Sequence, residues 1–322
     1  MGQVTRRLQS LSNRVFNRVG RQELREAFTR LGLSAGDTVY ANVSLRSLGY
    51  VPGGPSEVIG AILDVVGPEG TLMMPTWPSS DPACVDPAVA FDAAGTPSQA
   101  GVLSEALRTY PDARRSLHPV APVSAVGARA AELTAGHDLS STPFGASSPY
   151  GKLAEASPRL LLVGTQIGGL VYYVQDKVGF PNLYLPEPVK YELRDARGSV
   201  RSMSTTALRA DVPPVVILPG SRPENRDFLL VPDYALMFPA AREQAVMEAG
   251  YLRFNRSRFL GRRERLQARG ILRSGLVGAA ESALLDGARM LDQIARDLAW
   301  DIARFKEEYD PEQLSLLSLP IL

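Results

Sequence analysis

Two short runs constrain this chain most: Thr71-Leu72-Met73-Met74 and Leu160-Leu161-Leu162-Val163. Each has the length of a strand and is too short for a buried helix. A strand that is apolar at successive positions needs cover on both faces, and a sheet between two layers of helices supplies that cover. The segments before them alternate as such a fold requires. Residues 22–31 read as a helix, with Leu24, Phe28 and Leu31 at helical spacing and Gly32 and Gly36 closing it. Residues 38–41 read as a strand. Residues 56–66 read as a second helix, preceded by Pro55 and stopped by Gly67-Pro68. The order up to Met74 is therefore α-β-α-β.

The rest of the chain continues the pattern less regularly. Residues 79–98, rich in Pro, Ala and Asp, read as a long loop of the kind that often binds ligands. Helices are predicted over 101–110, 128–135 and 148–156, strands over 123–127 and 215–218, and a β excursion over 185–200 with a turn at 195–199. Asp233 is the predicted cap of a helix running to Met247. The stretch 252–273 holds eight arginines against Glu264, which fits either a phosphate site or a solvated face. Ser274 is the predicted cap of a long C-terminal helix, with Val277, Ala280, Leu284, Ala288, Leu291 and Ala295 along one stripe. The organisation expected is a single domain over 1–322, with an N-terminal extension (1–20), a β-rich insertion (185–233) and the C-terminal helix (274–309).

Charge and cysteine usage narrow the function classes. The 322 residues carry a net charge of +1, so nothing global points to nucleic acid or a membrane surface. A lone cysteine, Cys84, forms no internal disulfide and fits a reducing, cytoplasmic setting. Two histidines, His118 and His137, are too few for a structural zinc site, and no metal is expected.

The stretch Asn42–Gly54 follows the 38–41 strand and precedes a helix start. Loops in that position are where α/β proteins place ligands, and amides at a helix start suit an anion. The pattern is neither GxGxxG nor a P-loop, so by spacing alone it also fits an ordinary turn.

Several motifs recur in one order: Ser44-Leu45-Arg46-Ser47-Leu48-Gly49 followed by Gly53-Gly54, Gly67-Pro68-Glu69-Gly70-Thr71-Leu72, and Met74-Pro75-Thr76-Trp77. They continue through Thr96-Pro97-Ser98, Gly101-Val102-Leu103, Arg115-Ser116-Leu117-His118-Pro119, Thr142-Pro143-Phe144-Gly145 and Ser148-Pro149-Tyr150-Gly151. Together they carry a resemblance to the aminoglycoside 3-N-acetyltransferases, the antibiotic N-acetyltransferase family. It implies a layered α/β/α fold with a mixed central sheet. It also implies acyl transfer from acetyl-CoA or another acyl-CoA to an amine of a small-molecule acceptor. By resemblance, Ser44, Leu45, Arg46, Ser47, Leu48 and Gly49 would hold the pantetheine arm. Arg115, Ser116 and His118 would lie near the CoA phosphates, and His137 would order a loop.

The resemblance breaks at one place. Where the family carries a histidine and, three residues on, a glutamate, this chain has Val174 and Lys177. Polar positions ahead of that pair read Gly168, Leu170 and Val171, and a histidine expected before Ser44 reads Asn42. Three readings stay open. The chain is an acyltransferase with another base, or a transferase with altered chemistry on a thioester or carrier-bound substrate, or a catalytically silent binding homologue. In the first, Asp176 is the nearest base, with Tyr173 or Tyr172 as hydroxyl partner and Thr76 beside them. Asn42, Trp77, Tyr172 and Lys177 are the expected acceptor contacts. The apolar, aromatic stretch 179–188 favours a less charged acceptor than an aminoglycoside and so a place in specialised metabolism. A homodimer is compatible with all three.

Overall fold

The computed structural model describes residues 18–80, 82–165, 169–179, 183–194, 198–208 and 266–296. Helix α1 (Arg21–Leu31) buries Leu24, Ala27, Phe28 and Leu31, the three-four spacing read from the sequence. The Glu23 carboxylate accepts the Gly20 amide at 2.6 Å at its start. Gly32, at φ 109°, ends it in the left-handed conformation. Strand β1 (Thr38–Val43) leads into the one-turn helix α2 (Leu45–Leu48). Helix α3 (Pro55–Val66) starts on proline and returns the chain to β2 (Thr71–Pro75). Then come β3 (Phe91–Asp92), α4 (Val102–Arg108), β4 (Arg114–Arg115), β5 (Val123–Gly127), α5 (Ala130–Thr134), α6 (Pro149–Glu155), β6 (Arg159–Val163) and α7 (Leu170–Lys177). Strands β7 (Val189–Arg194), β8 (Val200–Thr205), β9 (Leu272–Val277) and β10 (Ala280–Asp286) complete the set.

The central sheet runs β4-β5-β2-β1-β6-β10-β9. Strand β1 lies at its centre, parallel to β2 and β6, while β5, β10 and β9 pair antiparallel. The sheet is mixed, as expected. Alternation along the strands divides the core in two. Val39, Ala41, Leu72, Met74, Leu161 and Val163 pack with α1, α3 and α4. Tyr40, Met73, Ala125, Leu160 and Leu285 pack with α5, α6 and α7. A side-chain period of two in strands covered on both faces produces this α/β/α layering.

The expected long helix over 274–309 is corrected at its start. Residues 272–286 form the β9–β10 hairpin, with Ala280 opposite Val277 and Leu285 opposite Leu272, and helix begins only at residue 287. The cause is physical. Strand β10 inserts beside β6 and is buried from both sides at Leu284 and Leu285, so its apolar residues satisfy helical and strand spacing equally. The predicted loop 79–98 also holds structure: Pro82–Cys84 forms a 3₁₀ turn, and Phe91–Asp92 pairs in parallel with Leu193–Arg194. Strands β3, β7 and β8 thereby form a small second sheet. Most of the N-terminal extension, the 215–218 strand, the helix from Asp233 and the Arg-rich stretch up to residue 265 lie outside the described residues.

Candidate functional site

A cleft of about 750 Å³ opens at the carboxyl ends of β1 and β2. Three segments wall it: residues 42–51, the β2 end from Met74 to Trp77, and residues 100–104 at the start of α4. Thr165, just past β6, closes a fourth side. This is the crevice that open α/β sheets offer to ligands.

The 44–49 loop is held firmly. The Ser44 amide donates to the Val163 carbonyl at 2.9 Å, and the Ser47 hydroxyl donates to the Ser44 hydroxyl at 2.9 Å. The Ala279 amide, at the tip of the β9–β10 hairpin, donates to the Leu48 carbonyl at 3.0 Å. Gly164 makes the fit possible: its φ is +59°, and a Cβ there would stand 2.3 Å from the Ser47 Cβ. Arg46 is exposed and is the only charged side chain lining the cleft among the described residues.

Of the residues expected at a site, Asn42, Ser44, Leu45, Arg46, Gly49 and Trp77 line this cleft. Ser47 and Leu48 stand behind them in the same loop. The sequence reading did not single out Tyr50, Met74, Gly101, Val102 or Thr165 as contacts, although Gly101-Val102 sits in one of the family motifs and Thr165 follows the central strand.

The Arg115-Ser116-His118 group lies behind the cleft's lining. Arg115 spends its guanidinium on the carbonyls of Thr76, Thr96 and Ala93 and lies 4.8 Å over the Phe91 ring. Ser116 is fully buried; its hydroxyl bonds His137 Nδ1 at 2.9 Å and accepts the Val123 amide at 3.0 Å. His118 is also fully buried, and its Nδ1 accepts the amides of Val120 and Ala121. The two imidazoles stack with centroids 4.3 Å apart. Burial and the adjacent His137 ring hold His118 well below the usual histidine range. Burial brings His137 down to about 3, against the opposing pull of its bond to the Pro143 carbonyl. None of the three lines the cleft; Ser116 and His118 are fully buried, and Arg115 is spent on backbone carbonyls.

The α7 residues gather around a second cavity of about 560 Å³, lined by Tyr173, Val174, Asp176, Lys177, Glu155 and Asp292 among others. It shares no lining residue with the cleft. The Asp176 carboxylate accepts the Thr142 hydroxyl at 2.6 Å and the Tyr184 hydroxyl. Lys177 is exposed, with its ammonium 5.9 Å from the Tyr173 ring centre. Thr76, expected beside Asp176 and the tyrosines, is fully buried, with its hydroxyl bonded to Ser124 and the Pro122 carbonyl. Tyr172 of α7 stands edge-on to Trp77, with ring centroids 6.4 Å apart.

The family model described as aminoglycoside 3-N-acetyltransferase matches residues 41–188, which include the cleft and both apolar strands. Aminoglycoside acetyltransferase AAC(3)-Xa, a solved structure, is 30% identical, superposes with a TM-score of 0.62, and is covered over 93% of its chain and 88% of this one. The chain belongs to the aminoglycoside 3-N-acetyltransferase family. A second structure, AAC-IIIb binary with CoASH, superposes with a TM-score of 0.64 at 26% identity, over 89% of this chain and 97% of that one. Among curated family members, aminoglycoside N(3)-acetyltransferase VII of Streptomyces paromomycinus is 37% identical over 171 residues, 47% of this chain. Aminoglycoside N(3)-acetyltransferase IX of Micromonospora chalcea is 36% identical over 173 residues, 49% of this chain. These matches span 58% and 61% of the two relatives' own lengths.

Proposed function

We propose that this member of the family is an acyl-CoA-dependent N-acyltransferase whose donor lies in the cleft between the 44–49 loop and residues 100–104. The observation that carries the reading is the cleft's charge pattern. One exposed cation, Arg46, stands at the mouth, and the lining among the described residues holds no carboxylate. An anionic, phosphate-bearing donor is favoured there, and a polycation finds no counter-charge. A family structure described as binary with CoASH supports the donor class. In the reaction the acceptor nitrogen attacks the thioester carbonyl carbon. The C–N bond forms, the C–S bond breaks, and the nitrogen's proton ends on the departing CoA thiol. The apolar walls, Val43, Val51, Met74 and Val102, favour an acceptor less charged than an aminoglycoside.

Calorimetric titration of CoA and acetyl-CoA into the full chain tests the reading. Micromolar binding, about −8 kcal/mol, is expected. Arg46→Ala is expected to weaken it about tenfold through loss of a charge-assisted contact. Absence of binding to the wild-type chain overturns the donor assignment and turns attention to a carrier-bound thioester.

A further inference from the structure

We propose that the Trp77 indole sets the length of the acyl group this cleft accepts, with Tyr150 as the positioning residue that fixes the indole in place. The inference rests on reading the cleft as the acyl-CoA site. The cleft has a graded interior. Arg46, Tyr50 and Val102 are exposed at the mouth, with Val102 58% exposed. Met74 and Trp77, at 1% and 5%, belong to its buried lining, together with Val51 and Ser104. A linear donor whose phosphates stay with the mouth cation therefore runs its thioester end inward, toward the indole.

That indole is a fixed wall. Its Nε1–H donates to the Tyr150 hydroxyl at 2.8 Å, and both groups are buried. Tyr150 is itself wedged between Phe144, at 4.9 Å between centroids, and Tyr40, at 6.3 Å. Tyr172 stands edge-on to the indole. Gly169, at the start of α7, leans on the same pair: a Cβ on it would lie 2.8 Å from the Tyr150 ring and 3.4 Å from the indole. The indole swings away only if a buried donor loses its acceptor and α7 moves, and burying an unpaired N–H is costly. A wall of this kind sets a hard stop. Where an acyl chain has room, each further buried methylene tightens binding about fourfold; against a fixed wall the same methylene is excluded.

Calorimetry on the full chain with CoA, acetyl-CoA and butanoyl-CoA tests the idea without knowledge of the acceptor. The wild-type chain is expected to prefer acetyl-CoA to butanoyl-CoA by about tenfold or more. Trp77→Phe shortens the wall, and the preference is expected to vanish or reverse. Tyr150→Phe keeps both rings and removes only the hydroxyl that holds the indole, and it is expected to give an intermediate preference. CoA without an acyl group is titrated into all three chains as the reference, and each acyl-CoA affinity is read as a ratio to it. A merely structural role for either residue would weaken the three ligands together and leave their ratio unchanged. Should Trp77→Phe fail to fold, Tyr150→Phe carries the test. CoA binding with the same acyl preference in wild type and variants overturns this inference alone. Loss of all CoA and acetyl-CoA binding by the wild-type chain overturns the donor reading and this inference with it.

Discussion

His118 and His137 are the only histidines in the chain, and both are buried and stacked. Stability between pH 7.5 and 5 is therefore expected to report on this pair. Burial lowers both folded-state values below the unfolded one of about 6.5. The unfolded chain then binds protons that the folded chain refuses. Stability is whole above pH 6.5 and is lost as pH falls through that value, until the folded ring can also be protonated. For His137, whose folded value is about 3, the loss at pH 5 is about 2 kcal/mol. His118 adds a loss of the same sign, because protonating its Nδ1 would also displace the Val120 and Ala121 amides. The limiting slope for two such rings is about 2.7 kcal/mol per pH unit, large against a total stability of about 5–15 kcal/mol. Carboxylates paired with arginines, such as Asp64 with Arg21 and Glu105 with Arg108, are held below their ordinary range and lose their contribution only at lower pH. The assay is urea unfolding of the full chain at fixed ionic strength, at half-unit steps from pH 7.5 to 5. His137→Gln is expected to cut the slope by about half, whatever it does to stability at pH 7.5. A free energy that varies by less than about 0.5 kcal/mol over that range would refute the argument.

Two further predictions follow from the geometry. Asp176→Asn weakens an acceptor shared by Thr142 and Tyr184, so unfolding should show a loss of about 1–2 kcal/mol. Because the residue lies outside the cleft, CoA affinity should stay unchanged, and a drop in affinity would count against that placement. Gly164→Ala forces a methyl into Ser47 at a left-handed backbone position, so a loss of about 2 kcal/mol or more and weaker CoA binding are expected together; normal binding would show that the 44–49 loop tolerates the shift.

Much of this was legible in the chain itself. The apolar runs at β2 and β6 called for a sheet covered on both faces, and Ser44, Leu45, Arg46, Gly49 and Trp77 line one cleft. Two kinds of information were hidden. The first is burial of polar groups. Ser116 and His118 look like ligands for an anion because hydroxyls and imidazoles serve that purpose, yet the same groups satisfy backbone amides in a core, and composition does not separate the two. The second is long-range pairing. Phe91 and Asp92 are strand only because Leu193 and Arg194 arrive a hundred residues later, and β10 is strand because β6 has a free side to offer. Spacing within either segment holds no trace of the partner. The α7 positions fall between these cases: Asp176 and Tyr173 line one cavity, which shares no lining residue with the cleft.

The antiparallel seat of β10 against β6 has a consequence for synthesis. Until β10 emerges, β6 (Leu160–Val163) presents its apolar backbone edge with only β1 beside it. About 117 residues separate the end of β6 from the start of β10, which at ribosomal speeds is roughly 6–23 s of waiting. During that interval the nascent chain carries an open edge of the kind that recruits other strands. The bond from Ala279 to Leu48 also cannot form earlier. The loop at the cleft mouth is thus among the last parts of the molecule to be fixed, and a helper that shields β6 in the meantime would raise the yield of chains able to bind ligand.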